Sequence, residues 1–154
     1  MTGESSLSMT DCIHRDAATS VFLAYMFVDQ SSTVTAVRNL FQDIRTPTIG
    51  PVYLRGSTGY FEDCDFIDNP NDGTGGTVFL RPGSSLVITN SRIVGSSAGN
   101  KGRVAWIDAG SSMRIVGSTI MNTSGDAAFA IHDESGTDFP SSRKAAVVMA
   151  ADSG

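Results

Sequence analysis

The chain has 154 residues, 40% of them hydrophobic and 18% charged, with a formal net charge of −5. This length and composition are enough for one folded domain with a core and exclude a disordered chain. A sequence isoelectric point near 4.8 argues against nucleic-acid binding, which needs a basic surface. No apolar run approaches the roughly 20 residues that span a bilayer, so we expect no membrane span.

The longest apolar run, Val21–Val28, has the length of the apolar region of a signal peptide. A signal peptide carries basic residues before its apolar region. Here Arg15 is the only base before the run, while Glu4, Asp11 and Asp16 are acidic. We therefore expect no signal peptide in this chain.

A pair of small hydroxyl residues recurs along the chain. The five clear copies are Ser5-Ser6, Ser31-Ser32, Ser57-Thr58, Ser84-Ser85 and Ser111-Ser112, and a weaker sixth is Thr137-Asp138. The steps between the clear copies are 26, 26, 27 and 27 residues. Such a period is typical of stacked repeat architectures.

Equivalent positions of the copies share a physical type. The fifth position holds Met9, Thr35, Phe61, Ile88 and Ile115, and the tenth holds His14, Leu40, Phe66, Ile93 and Ile120. The seventh holds Asp11, Val37, Asp63, Asn90 and Gly117. Except for Val37, these seventh residues tolerate a left-handed backbone, which predicts a turn. In the second copy, where Val37 stands at this position, we expect the corner to have a different structure.

Each copy closes with a second strand-like run, read as YMFV, VYLR, VFLR, AWID and IHDE. Period-2 alternation with turns between indicates strands rather than helices. Strands that pair with the equivalent strand of the next copy form a parallel β-helix. We predict a single all-β domain over residues 1–154, a solenoid of five to six turns with 26–27 residues per turn and repeats that begin near 5, 31, 57, 84, 111 and 137.

One repeat resembles a known group. The segment FIDN, Phe66–Asn69, followed by GGTV, Gly75–Val78, is similar to the paired FxxN and GGA[IV] signatures of polymorphic outer-membrane and autotransporter repeats. Those repeats belong to the right-handed, pectin-lyase-like β-helices. The resemblance implies a right-handed coil.

The side chains between the predicted interior positions of the closing strands would form an outward strip. We assign Val52, Leu54, Val78, Leu80, Ala105 and Ile107 to the interior. The outward strip is then Met26, Tyr53, Phe79, Trp106 and His132. An exposed apolar strip of this length is typical of a contact with a protein partner or a glycan. The alternatives are that another segment of the chain covers it, or that the register is shifted by one residue, which reverses every side chain.

Acidic residues cluster in the third copy, at Asp63, Asp65, Asp68 and Asp72. The resemblance raises a calcium site, because pectate-lyase-like enzymes bind calcium through outward aspartates on adjacent turns. We favour solvated turn acids and predict no cofactor, since neighbouring copies offer Arg38 and Asn90 at the position of Asp63. Arg55 and Arg81 should stack in register, face no ladder of acids, and cover apolar surface with their stems.

Two further features concern covalent chemistry. Cys12 and Cys64 occupy the same repeat position two turns apart, about 10 Å, which is too far for a disulfide. We predict two free, partly buried thiols. Asn122-Thr123-Ser124 is a candidate glycosylation triplet at a predicted turn.

These observations favour a structural or partner-binding module without enzymatic activity, which contacts its partner through the outward strip or through uncapped ends. The alternative is a truncated polysaccharide lyase or glycoside hydrolase of pectin-lyase-like fold. We find no polar cap at either end, so we expect a fragment of a longer coil or a subunit of a larger assembly. The expected location is extracellular or on the cell surface.

Overall fold

The structure is a computed structural model that describes residues 4–19, 24–124, 129–132 and 146–150. That part of the chain forms 18 short strands. They are β1 (Ser6–Thr10), β2 (Ile13–Arg15), β3 (Met26–Asp29), β4 (Thr33–Val37), β5 (Leu40–Gln42), β6 (Val52–Arg55), β7 (Thr58–Glu62), β8 (Asp65–Ile67), β9 (Pro70–Asn71), β10 (Val78–Arg81), β11 (Ser85–Thr89), β12 (Arg92–Val94), β13 (Ser97–Ala98), β14 (Ala105–Asp108), β15 (Ser112–Val116), β16 (Thr119–Met121), β17 (Phe129–His132) and β18 (Ala146–Ala150).

The strands form three parallel sheets that the chain visits in turn. The first sheet has the order β1-β4-β7-β11-β15-β18, the second β2-β5-β8-β12-β16 and the third β3-β6-β10-β14-β17. The short strands β9 and β13 pair with each other. Because each strand pairs with its equivalent one repeat later, the chain is a parallel β-solenoid, as the repeat predicts. It has about four turns of about 27 residues, measured from Ser6 to Ser112 along the first sheet.

The predicted register is wrong by one residue in the second copy. Ser6 pairs with Thr33, not Ser32, and Thr33 pairs with Thr58, so these two steps are 27 and 25 residues rather than 26 each. The inward residues of this turn are therefore Ala36 and Phe41, where the sequence predicts Thr35 and Leu40. The cause lies in the landmark itself, because Ser31, Ser32 and Thr33 are three consecutive hydroxyl residues and a pair can be placed on them in two ways.

With this correction, the corner after the first sheet is the same in every turn. Its residues are Asp11, Arg38, Asp63, Asn90 and Gly117, with φ angles of 55°, 52°, 52°, 49° and 56°. The expectation of a different corner in the second copy is thus wrong. Arg38 adopts the left-handed conformation, and its Nε donates to Asp11 Oδ1 one turn earlier at 2.7 Å.

A second left-handed corner, which the sequence analysis missed, follows the second sheet. It holds Asp16, Asp43, Asp68, Gly95 and Asn122, with φ angles of 53°, 52°, 49°, 67° and 53°. Aspartate, asparagine and glycine are the residues that adopt this conformation at least cost. The chain therefore turns away from the second sheet at one fixed point in each repeat.

The core is built from inward columns. Phe66 pairs with Ile93 and Ile93 with Ile120, so the predicted column is confirmed. Phe66 and Ile93 are completely buried, and Ile120 packs against the core. On the other side of Phe66, the rings of Phe41 and Phe66 stack with centroids 4.9 Å apart.

Side-chain amides join the turns at the corners. Asn69, the last residue of FIDN, is fully buried; its Oδ1 accepts from the Ile44 amide at 2.9 Å and its Nδ2 donates to the Phe41 carbonyl at 2.9 Å. Asn39 makes the equivalent bonds at the first corner, to the Cys12 amide and the Met9 carbonyl, each 3.0 Å. Each amide satisfies backbone groups of the preceding turn that the bend takes out of the ladder.

The two cysteines are free, as predicted. Asn39 occupies the corner position of the turn between them. Cys64 is completely buried and Cys12 half-buried. Burial raises the pKa of the Cys64 thiol, so this thiol stays protonated and unreactive at neutral pH.

The glycines of GGTV allow two loops to lie against each other. The Gly76 amide donates to the Gly102 carbonyl of the next turn at 2.8 Å. A Cβ at Gly76 would lie 1.8 Å from the Arg103 carbonyl oxygen. Only a residue without a side chain permits this approach.

We expect Gly76→Ala to lower the free energy of unfolding by about 3 kcal/mol, because the new methyl group must push two backbone segments apart. The matched control is Gly56→Ala, where the backbone is left-handed at φ +57° but no atom lies within 4 Å of the new Cβ. That change should cost about 1 kcal/mol. Urea unfolding measures both, and equal losses would contradict the close packing of the loops.

Candidate functional site

The third sheet separates its inward and outward residues as the sequence predicts in β6, β10 and β14. Its inward residues Val52, Leu54, Val78, Leu80, Ala105 and Ile107 are all completely buried. The outward positions next to them hold aromatic side chains and, two residues later, charged ones. These two outward rows form the candidate site.

The aromatic column consists of Phe27, Tyr53, Phe79 and Trp106, one ring per turn. The centroid distances between successive rings are 4.8, 5.6 and 6.1 Å, with interplanar angles of 9°, 17° and 13°. Neighbouring rings therefore stack face to face along the coil. Tyr53, Phe79 and Trp106 are the residues that the sequence places in the strip.

The structure places the two ends of the predicted strip differently. Met26 pairs with Val52, faces inward and is 8% exposed. Its outward place is taken by Phe27. Tyr25, Met26 and Phe27 are three consecutive large side chains. The alternation therefore fits equally well with Met26 facing inward or with Phe27 facing inward. At the other end, the backbone of Ala130 pairs with Trp106, and His132 pairs with Asp108 in the neighbouring row.

Exposure varies along the aromatic column. Phe27 is 46% exposed and Phe79 only 9%, while Tyr53 and Trp106 are half-buried. Because both faces of Tyr53 and of Phe79 are covered by neighbouring rings, the middle of the column presents mainly ring edges to solvent. This gives a narrow apolar ridge rather than an open aromatic platform.

A charged column runs beside the aromatic one and consists of Asp29, Arg55, Arg81 and Asp108. The sequence predicts that the arginines cover apolar surface and face no ladder of acids, and the structure pairs each of them with one aspartate. Arg55 forms a two-point ion pair with Asp29, with Nε 2.7 Å from Oδ1, and Arg81 Nη1 lies 2.9 Å from Asp108 Oδ2. Arg55 and Arg81 do stack in register, as predicted.

The two ion pairs differ in environment. Asp108 is almost fully buried, and its Oδ1 accepts a hydrogen bond from Trp106 Nε1 at 2.7 Å. Asp108 thus fixes the indole of the aromatic column while it pairs with Arg81. The Arg55–Asp29 pair is more open, with the Arg55 side chain 52% exposed.

The hydrogen bonds from Arg55 lower the pKa of the Asp29 carboxyl below its ordinary value. A lowered pKa in the folded state means that the pair stabilises the fold above the ordinary aspartate pKa. This contribution is lost as pH falls through the folded-state value. The pair is therefore intact throughout the neutral and mildly acidic range.

The acidic residues of the third copy have other roles than a shared site. Asp65 accepts from Arg92 Nε at 2.7 Å, and Asp72 lies 3.7 Å from Arg45 Nη2. Asp63 and Asp68 are the left-handed residues of two different corners. Within the described ranges, no three metal-binding side chains are grouped as a metal site would require.

Asn122, the glycosylation candidate, is exposed and has a φ of 53° at the second corner. The structural reason for an asparagine here is the left-handed backbone.

The sequence analysis missed Phe27, Asp29 and Asp108 as members of the site. A signal was present for the two acids, because both stand at the strand position that Arg55 and Arg81 occupy in the turns between them. Opposite charges at one repeat position on successive turns indicate an ion pair along the coil.

Comparisons with models of known protein families, with curated proteins and with solved structures found no match. In the part of the chain that the structure describes, no apolar helix is long enough to cross a bilayer.

We expect Asp108→Leu to release the Trp106 ring, since the indole loses its acceptor and Arg81 its partner. Trp106 is the only tryptophan, so its emission should shift to longer wavelength and acrylamide should quench it more strongly. The cost to the free energy of unfolding should be about 2 kcal/mol. Asp29→Leu, in the same row three turns away, is the control and should leave the emission unchanged. An unchanged Trp106 spectrum in Asp108→Leu would contradict the positioning role.

Proposed function

We propose that this protein is a non-enzymatic structural module that binds a protein partner through the aromatic column and the charged column beside it. The observation that carries the proposal is the aromatic column itself. Four stacked rings on successive turns form a rigid apolar ridge with Phe27 46% exposed. Rigid aromatic groups lose little conformational entropy on binding and are enriched at the centres of protein interfaces.

A protein partner fits this ridge better than a glycan. Sugar rings bind aromatic side chains by stacking on an open ring face, as amphipathic aromatic surfaces allow. Here the faces of Tyr53 and Phe79 are covered by neighbouring rings on both sides. Ring edges next to paired charges favour the mixed apolar and polar surface of another protein.

The ends of the solenoid are a second route to a partner. Leu7 and Met149 occupy inward register positions in the first and last strands of the first sheet, yet they are 50% and 65% exposed. A further turn of a coil or a capping partner would cover such residues. This supports a role as a subunit or segment of a larger assembly.

We infer that the coil is right-handed and of the pectin-lyase-like kind, and that residues 1–154 form five to six turns of it. Parallel crossovers are right-handed in about 98% of cases. The FIDN and GGTV segments that carry the resemblance supply a buried corner amide and a close loop contact. An extracellular or cell-surface location follows from the same resemblance.

The test places a photo-crosslinking phenylalanine analogue at position 53 or at position 60 of the full chain, in cells that make the protein. Tyr60 is an outward aromatic residue of the first sheet, 47% exposed, and serves as the matched control. A protein captured from position 53 and not from position 60 is the expected result.

The captured protein should then bind Phe27→Ala roughly 30-fold more weakly than wild type, the usual loss at a central aromatic residue. Tyr60→Ala should bind as wild type does, with both variants folded by circular dichroism. Equal capture from both positions, or equal affinity for both variants, would overturn the proposal. Binding of a soluble glycan that Phe27→Ala abolishes would replace the protein partner by a polysaccharide.

A further inference from the structure

The outer face of the second sheet carries a different surface. Each of its strands has three residues, so the first and third point outward while the middle one enters the core. The first outward row is Ile13, Leu40, Asp65, Arg92 and Thr119, and the second is Arg15, Gln42, Ile67, Val94 and Met121.

An apolar stripe crosses this face, with one apolar side chain on each strand. Its members are Ile13, Leu40, Ile67, Val94 and Met121. Ile13 is 62% exposed, Met121 is 45% exposed, and the three between them are half-buried. The stripe begins in the first row and changes to the second between Leu40 and Ile67, a diagonal step that large side chains can bridge. Four steps of strand spacing give it a length of about 19 Å.

Carboxylates border the stripe on both sides. Asp16, Asp43 and Asp68 follow the strands at the second corner, and Asp63 lies at the first corner. All four are exposed. Within the described ranges none of them forms a close ion pair, although Asp63 is attracted to Arg38, whose main partner is Asp11.

The other charges on this face are largely compensated. Asp11 is paired with Arg38 and Asp65 with Arg92. Among the described residues of this face, Arg15 is then the one base that is not paired with an aspartate, against three carboxylates at the second corner and Asp63 beside Arg38 at the first. The face therefore has an apolar centre and an acidic border.

We propose that this face of the second sheet is a docking surface for an amphipathic helix whose apolar stripe is flanked by lysine or arginine. A helix of about 13 residues covers about 19 Å, which is the length of the apolar stripe. Its leucine-type residues would cover the stripe from Ile13 to Met121. Its basic residues would meet the carboxylates at the two corners, and such complementarity steers association.

The acidic border disfavours two other occupants, a second copy of this face and an acidic peptide. A second copy of this face would bring its own carboxylates against these four, and like charges oppose association. An acidic peptide meets the same repulsion. The inference concerns a different sheet from the aromatic column and does not depend on the function proposed for that column.

The probe is a synthetic helical peptide with leucines on one face and lysines on both flanks, labelled for fluorescence anisotropy. We expect saturable binding to the full chain that weakens as salt is raised, because the border charges are solvent-exposed. The same peptide with glutamate in place of lysine should not bind.

Two pairs of variants separate the charges from the apolar stripe. Asp43→Asn removes one border charge but keeps a residue that tolerates the left-handed backbone, as Asn122 does in the same corner. It should slow association, and the triple change of Asp16, Asp43 and Asp68 to asparagine should weaken binding roughly tenfold. Asp29→Asn on the third sheet changes the net charge equally and should have no effect.

For the apolar stripe, Ile67→Ser should weaken binding several-fold. Val87→Ser removes a half-buried outward residue from the first sheet and is the matched control. Affinity that is equal for Ile67→Ser and Val87→Ser, or binding of the glutamate peptide, would overturn the proposal. So would a concentration-dependent dimer in sedimentation that Ile67→Ser abolishes, since the face would then join two copies of the chain.

Discussion

The structure depends on the in-register pairing of each strand with its equivalent one turn later. In a parallel ladder with no shift, each side chain lies directly beside the residue one repeat away. An inward position therefore stays in the core from turn to turn, and the residues in it are mostly apolar. This constraint accounts for the buried column of Phe41, Phe66 and Ile93.

The same constraint decides what the outer surface can carry. Like charges directly opposite each other on neighbouring strands repel, and a column of identical acids or bases would collect that repulsion at every step. The described ion pairs all join an aspartate of one turn to an arginine of an adjacent turn, for example Asp11 with Arg38 and Asp65 with Arg92. The second corner is the exception, since Asp16, Asp43 and Asp68 follow one another there. Aspartate is favoured at this corner because it tolerates the left-handed backbone, although the charges of successive aspartates repel one another.

Repeat spacing and alternation were enough to predict the parallel coil, the inward residues of β6, β10 and β14, and the free thiols. They were not enough where the chain offers two registers of equal quality, as at Ser31, Ser32 and Thr33 and again at Tyr25, Met26 and Phe27. The structure places Phe41 and Met26 in the core, a choice that alternation alone does not make against Leu40 and Phe27. The charged column was missed because Asp29 and Asp108 lie at opposite ends of a row whose two middle members are both arginine.

The most direct test of the stacked register is a methyl nuclear Overhauser spectrum of the full chain. The account predicts cross-peaks between Leu54 and Leu80, between Ile88 and Ile115, and between Ile93 and Ile120, since each pair faces inward on adjacent turns. It also predicts contact between the rings of Phe41 and Phe66. Contacts of Leu40 rather than Phe41 with Phe66, or no contact between the paired isoleucines, would contradict it.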